Sequence, residues 1–506
     1  MISRATLILL GLSLASACSC SVSEDAPAAP LPKTDACVEG ESACQGLQVK
    51  RCEPTESGLR WAAPAACVDH QICKEGSCRA LTPEEEARTT SLSALLDESR
   101  DVGATARPVD YETLRGRLRE RLLLGDGSAA AYVQTLWDAM LELPQGHQSI
   151  GLPEAAADEE REAAGFNLGA LTRYGACLRP WADHAVVTDV DKGSVFRRGD
   201  EIMAIDGARG DALDAVFMTR AFDRDYVPPT RAGRLAFAVQ SFFSVQREGT
   251  RLTVRRGTVE LEVALPKAQP ASAGYGCYDA FGRDYTMPAI ASILPDGSGI
   301  LYIPNFAEKT LEEFEAAVGP EFDKVKSTPR LVIDIRGNGG GLLKAALDLV
   351  SQFPDPSKRE YCEFFERTPE SRPPSYTSKS KKSVDPAGVP QPPRFAYAGK
   401  IALLIDGATH SAAEHLVLAA KTASKVIVVG TKTAGAYGTI TSDAPKRLPG
   451  PPDLQLSINR SQVRRPDGAV LDGTSMDPDV EVGYEPAALA RGEDPMLERA
   501  LAELRK

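Results

Sequence analysis

Apolar positions change their spacing several times along the chain, and each change predicts a different kind of element. From Leu81 to about Leu143 the spacing is helical. Leu114, Leu118 and Leu122 recur on one face, while Glu112, Arg115 and Arg119 fall on the other. A second helix is predicted from about Ala129 to Leu143, carrying Tyr132, Leu136, Trp137 and Met140; Pro144 and Gly146 stop it before His147. Between 165 and 268 the pattern turns to strands, at 184–190 and then as a pair at 251–255 and 259–265. From 285 to 485 short, nearly continuous apolar runs at 299–303, 330–335, 400–405 and 426–429 alternate with helical runs such as 342–353 and 412–421. Strands of that kind are buried on both faces, so the pattern predicts an α/β core. The polar, proline-rich stretch 354–393, with Lys379-Ser380-Lys381-Lys382, interrupts the core and reads as a surface loop. A last helix is expected within 486–506.

Length and composition narrow the class. At ~100–200 residues per domain, 506 residues suggest three or four folding units. The hydrophobic share of 43% and charged share of 25% are those of globular protein. A net charge of −12 argues against nucleic acid as a partner. Six of the eleven cysteines (Cys37, Cys44, Cys52, Cys67, Cys73 and Cys78) crowd into the segment 37–80, which fits an oxidising compartment. So short a segment buries little core, and disulfides compensate, although their pairing is not readable. Zinc is the rival reading; the only nearby histidine is His70, and no CxxC pair exists.

The first 17 residues carry one cation, Arg4, then an apolar run too short to span a bilayer, then small residues, the pattern of a secretory signal. The sequence Leu14-Ala15-Ser16-Ala17-Cys18 resembles the lipobox of bacterial lipoproteins. That resemblance implies lipidation at Cys18, a tether over 18–36, and a lipid-anchored protein of the bacterial cell envelope, at the outer membrane or facing the periplasm. Ordinary cleavage, leaving Cys18 and Cys20 as thiols, is the alternative.

Two turns carry the candidate chemistry. In Asp334-Ile335-Arg336-Gly337-Asn338-Gly339-Gly340-Gly341 a strand gives way to a helix, and the glycines let backbone amides converge on an anion. The spacing fits neither a dinucleotide fingerprint nor a phosphate loop, which leaves an oxyanion cradle or simply a tight turn. In Gly407-Ala408-Thr409-His410-Ser411-Ala412-Ala413-Glu414 a second strand meets a second helix. Ser411 with Glu414 three residues on is a capping box, and taken alone the motif favours that role. A serine there also has its hydroxyl in the positive field of the helix end.

The segment Arg198-Gly199-Asp200-Glu201-Ile202-Met203-Ala204-Ile205-Asp206-Gly207 resembles the signature of protease-associated PDZ domains. Such domains bind peptide termini by adding a strand to a sheet edge. Taken in order, the two turns, the segment from Val428 through Gly438 and Asp467-Gly468 through Val482 closely resemble the C-terminal processing protease and tricorn-core family of serine peptidases. The resemblance covers 110–485. It implies a ClpP/crotonase-like α/β core at 285–485, an inserted β-rich PDZ domain at 165–268 and an N-terminal helical part at 83–155. Ahead of these stand the disulfide-rich module and the leader.

Within the family one branch uses a lysine 25 residues after the serine, a position held here by Ala436, while Lys432 lies earlier. The tricorn-like branch uses a histidine in an L-x-D-G-H-T segment before the PDZ domain; Leu141-Glu142-Leu143-Pro144-Gln145-Gly146-His147 resembles that segment, and of the five histidines only His147 falls in it. The resemblance therefore implies Ser411 as nucleophile and His147 as base, with an oxyanion hole from the amides of Ala412 and of Gly339 or Gly340. Asp472 stands where the branch has an orienting Glu; a hairpin turn is its plain reading. His410 and His415 are expected to cap or to lie at the surface. No metal or organic cofactor is implied, and the partners are polypeptides, presented through their C-termini in the PDZ groove. Cys177 and Cys277 flank the insert and are expected to pair, leaving Cys362 as the odd thiol. The reading from another class is a catalytically silent relative that binds peptides or small ligands at the surface.

Overall fold

The computed structural model describes residues 37–506 apart from 69–70, 106, 144, 146, 154–155, 157–173, 221–227, 246–247, 268–271, 273–275, 278–279, 283–287, 354–358, 385–393 and 439–444. The expected signal segment, the tether, Cys18, Cys20, His70, Pro144 and Gly146 lie outside the described residues. The chain divides into two compact units, one ending at Arg79 and the other spanning Ala80–Lys506.

In the first unit Ser42–Gln45, Gln48–Thr55, Gly58–Trp61 and Ala65–Ala66 form one antiparallel sheet, and Gln71–Lys74 pairs with Ser77–Ala80. Among its described apolar side chains only Cys52, Ile72 and Cys73 are buried. Disulfides Cys37–Cys52, Cys44–Cys73 and Cys67–Cys78 supply the restraint that so small a core does not.

The second unit opens with three helices, Pro83–Asp101, Tyr111–Leu124 and Ala129–Glu142, started by Thr82, Asp110 and Ser128 side chains that accept backbone amides. They bury Leu92, Leu96, Leu118, Leu136 and Trp137 against Leu454 and Leu456. The strand Ser149–Gly151 then pairs with Leu454–Ser457, so the segment just after His147 is tied to a strand 300 residues on.

Next comes a five-stranded antiparallel sheet. Its order runs Val259–Ala264, Arg251–Arg256, Glu201–Ile205, His184–Val190 and Ala176–Trp181. The helices Asp211–Arg220 and Arg231–Val245, not foreseen from the sequence, fill its core with Phe217, Phe242 and Phe243. Cys177 and Cys277 are bonded, their Cα atoms 5.1 Å apart.

The α/β core is a six-stranded sheet. Ile290–Ile293 is an antiparallel edge on Gly299–Tyr302, followed in parallel by Arg330–Asp334, Lys400–Ile405, Val426–Gly430 and Val480–Glu481. Alternation decides which face each residue serves. Leu331, Ile333, Ile401 and Leu403 pack under the helices Leu311–Val325, Leu343–Ser351 and Ala412–Ala420. Val332, Ala402 and Leu404 point the other way, beneath Met496, Ala500 and Leu504 of the C-terminal helix Pro495–Arg505.

The stretch expected as a loop is in large part a hairpin. Arg359–Arg367 and Tyr376–Val384 pair antiparallel, and Ser461–Arg464 extends them to three strands. Cys362 and Phe364 turn inward to the core while Glu360, Lys379 and Lys381 form ion pairs outside. The alternation of inward apolar and outward charged positions was hidden among prolines and lysines. Residues 354–358 and 385–393 of that stretch lie outside the described residues.

Candidate active site

Arg330–Asp334 and Lys400–Ile405 are parallel neighbours, so the turns that leave them emerge at the same edge of the sheet. The first turn is held by buried Asn338. Its Nδ2 donates to Ile303 O at 2.9 Å, and its Oδ1 accepts the Gly340 amide at 2.8 Å. Gly340 has φ +83°, and a Cβ there would stand 2.6 Å from both Ser411 Cβ and Ala412 N. The glycine turn therefore lies directly against the serine turn. The His410 amide donates to Asn338 O at 3.0 Å, and the Thr409 hydroxyl to Ile335 O at 3.1 Å, which pins the two together.

Ser411 precedes the helix Ala412–Ala420 with φ 60° and ψ −129°, and its side chain makes no capping bond. Such a conformation costs a residue with a Cβ ~1–3 kcal/mol. The capping-box expectation fails because Glu414 is drawn elsewhere. Its buried carboxyl accepts the Thr433 hydroxyl, the Gly435 amide at 2.8 Å and the Ala436 amide at 2.6 Å. Burial pushes Glu414 up to about 8, against the pull of those three donors. The Ser411 amide donates to Ala436 O at 3.1 Å. Ala436 thus holds Ser411 through its backbone, and its methyl side chain offers no amine. Lys432 is exposed and paired with Asp477 at 3.0 Å.

The amide placement sharpens the expected oxyanion set. Gly340 N–H is committed to Asn338, whereas among the described residues no acceptor takes the amide of Gly339 or of Ala412. Of the two glycines expected to supply a donor, Gly339 is the one whose amide has no acceptor among the described residues.

His147 is buried with φ 52°. Gln148, next in sequence, donates from Nε2 to Met140 O at 2.7 Å and Leu143 O at 3.1 Å, closing off the preceding helix. The His147 ring lies 6.3 Å, centroid to centroid, from the ring of His410, the residue before Ser411. Burial, reinforced by His410 and His415, lowers His147 to about 3, so its imidazole is neutral at ordinary pH. His410 donates from Nδ1 to Ala408 O at 2.9 Å and meets the edge of Phe237 at 5.2 Å. His415 is neither cap nor surface. It is buried, stacked on Phe364 at 5.3 Å, and donates from Nε2 to Tyr437 O at 2.9 Å.

Both carboxylate oxygens of Asp472 are occupied by backbone amides. Its Oδ1 accepts the Gly438 amide at 2.7 Å and its Oδ2 the Val463 amide at 2.9 Å, so it braces backbone behind the site. Burial raises it to about 6 against those amides. Cys362, the free thiol, is buried with Sγ 3.7 Å from His415 Nδ1, and burial pushes it up to about 12. Among the described residues no group of three His, Cys, Asp or Glu side chains is arranged to hold a metal ion. Asn338 and Asp406, which organise the turns, were not singled out from the sequence; the pairs Asn338-Gly339 and Asp406-Gly407 are the signal that could have found them.

Among solved structures the chain is similar to mature CPAF complexed with lactacystin, with TM-score 0.57 and 16% identity over 83% of this chain and 98% of that one. Mature CPAF alone gives TM-score 0.57 and 16% identity, over 84% and 97%. At this identity the likeness is one of fold. The photosystem II D1 C-terminal processing protease superposes with TM-score 0.41 and 16% identity, over 79% and 93%. No curated protein matches the sequence. Residues 297–482 match Peptidase family S41. That span opens just before the strand Gly299–Tyr302, closes on the last strand of the core sheet and contains both turns, and this match over the catalytic core supports a serine-type peptidase, a hydrolase of the S41 kind.

Proposed function

We propose that the chain is a secreted, lipid-anchored endopeptidase working through a Ser-His acyl-enzyme, with Ser411 as nucleophile and His147 as general base. Ser411 Oγ attacks the scissile carbonyl carbon while its proton passes to the His147 imidazole. The tetrahedral oxyanion is held by the amides of Gly339 and Ala412, in the positive field of the helix that starts there. His147 then gives the proton to the leaving amine, the C–N bond breaks, and an ester remains on Ser411. Water, deprotonated by His147, cleaves that ester to a carboxylate and restores the serine. Losing one oxyanion donor typically costs ~3–4 kcal/mol of barrier.

The observation that carries this reading is the conformation of Ser411. It occupies the N-cap position with a strained backbone and a hydroxyl that does not cap. Neutral His147 and the open amides of Gly339 and Ala412 support the division of roles. The five-stranded sheet with its two helices supports a PDZ domain whose sheet edge accepts substrate C-termini. Lipid attachment through Cys18 is proposed from the sequence; Cys18→Ser should release the chain from the membrane fraction.

A fluorophosphonate probe tests the chemistry. The wild type should label at a serine that Ser411→Ala lacks, and His147→Ala should slow that labelling severely. A wild type labelling no more than Ser411→Ala would overturn the reading in favour of a silent, ligand-binding relative.

A further inference from the structure

Behind the two turns lies a group of buried charges with no part in the chemistry above. Asp406, 1% exposed, follows the strand Lys400–Ile405. Its Oδ1 accepts the amide of Gly337 at 2.9 Å, the amide of Ala408 at 3.1 Å and the Thr409 hydroxyl at 3.3 Å. Its Oδ2 accepts the hydroxyl of buried Tyr484 at 2.9 Å and lies 3.5 Å from Nε of Arg179. One carboxylate therefore fastens the turn bearing the Gly339 amide to the turn bearing Ser411.

Arg179 belongs to neither turn. It sits on Ala176–Trp181, the edge strand of the five-stranded sheet, and is as deeply buried as Asp406. Its Nη1 donates to Leu178 O at 2.8 Å and its Nη2 to Cys277 O at 3.3 Å. Cys277 is bonded to Cys177, two residues before Arg179. Gln240, on the helix Arg231–Val245, donates to the same Cys277 carbonyl at 2.7 Å. The guanidinium is thus held by backbone that the disulfide staples. The amides, hydroxyls and guanidinium around Asp406 all present donors to its two oxygens. A buried carboxylate deprived of its cation is strongly disfavoured, and the turns it joins then lose their common anchor.

We infer that Asp406 is a positioning residue for catalysis, and that Arg179, held by the Cys177–Cys277 bond, is its buried ion-pair partner and so ties the catalytic turns to the five-stranded sheet. The inference rests on Ser411 being the nucleophile.

The test is the rate constant of fluorophosphonate labelling at Ser411 in the full chain. It compares the wild type, Asp406→Asn, Arg179→Met, the double variant, Tyr484→Phe and a Cys177→Ser/Cys277→Ser pair. Displacing the serine or its oxyanion donor by ~1 Å costs about 100-fold, so Asp406→Asn and Arg179→Met should each slow labelling by about that factor. The double variant should lose little more than the worse single one, because both act on one device. Arg179→Lys should recover part of the rate, and the cysteine pair should slow it. A merely structural role would reduce the fraction of chain that labels, not the rate constant of the fraction that does. If Asp406→Asn fails to fold, Tyr484→Phe carries the test, with an expected fall of about 10-fold, roughly one lost hydrogen bond to a charged group. Wild-type rates in Asp406→Asn or, failing that, in Tyr484→Phe overturn the inference alone, as do single losses that multiply in the double variant. A wild type without Ser411-dependent labelling overturns the nucleophile reading itself, and this inference with it.

Discussion

Replacing Gly340 by alanine is the sharpest probe of how closely the two turns must fit. Gly340 has φ +83° and Gly468, in an outer hairpin turn, has φ +88°. An alanine at either position takes on a similar left-handed penalty of ~1–2 kcal/mol. The surroundings differ. At 468 the new methyl meets nothing within 4 Å; at 340 it stands 2.6 Å from Ser411 Cβ and Ala412 N and 2.9 Å from His410 O. Ordinary contact begins at 3.4 Å, so the serine turn must retreat by roughly 1 Å, at an overpacking cost of ~1–3 kcal/mol. That retreat moves the proposed nucleophile and one oxyanion donor together, and a 1 Å misplacement costs about 100-fold in rate. Fluorophosphonate labelling should therefore slow about 100-fold in Gly340→Ala and stay within about 2-fold of wild type in Gly468→Ala. Both proteins are checked for folding by thermal melting. Equal labelling rates in two folded variants would refute the close-fit reasoning.

Burial that lowers His147 to about 3 predicts that Ser411 labelling holds its rate well below pH 6.5. A wild-type acid limb centred near 6.5 would contradict the assignment. Glu414, raised by burial to about 8 in the folded state, binds its proton more tightly there than when unfolded. It should therefore subtract stability as pH rises from about 4.5 through 8, by up to about 1.4 kcal/mol per unit. The denaturation midpoints of Glu414→Gln should lack that decline, and parallel slopes in wild type and variant would dismiss it. In the first unit, replacing Cys44 and Cys73 together by alanine should cost about 2–5 kcal/mol and expose residues 37–79 to limited proteolysis. Unchanged resistance would mean that the small core suffices without that bond. In the core sheet, Leu403→Ala should cost ~2–5 kcal/mol in the denaturation of the larger unit.

Much of the α/β core was legible because its signals are local. Runs such as 330–335 and 400–405 have the continuous apolar character of strands covered on both sides, and the structure puts Leu331 and Val332 on opposite faces. The two turns announced themselves by glycine and by small polar residues at strand ends. The hairpin Arg359–Arg367 with Tyr376–Val384 did not, since its lysines and flanking prolines resemble a loop until Ser461–Arg464 supplies a third strand. The helices of the five-stranded region were missed for a related reason. Arg231–Val245 presents Phe242 and Phe243 to its own sheet and Phe237 to His410, which leaves no clean one-sided stripe.

The candidate site could be located from the chain alone, because backbone freedom and helix initiation depend on residues a few positions apart. The sequence named Ser411, the glycine turn and His147, and it matched Cys177 with Cys277. Tertiary structure alone decided what each group is occupied with. Glu414 abandons Ser411 for amides 21 and 22 residues on, Asn338 takes the Gly340 amide, and Asp472 goes to Gly438 and Val463. A buried polar group takes whichever partner the fold brings within about 3 Å, and sequence spacing carries no record of that competition.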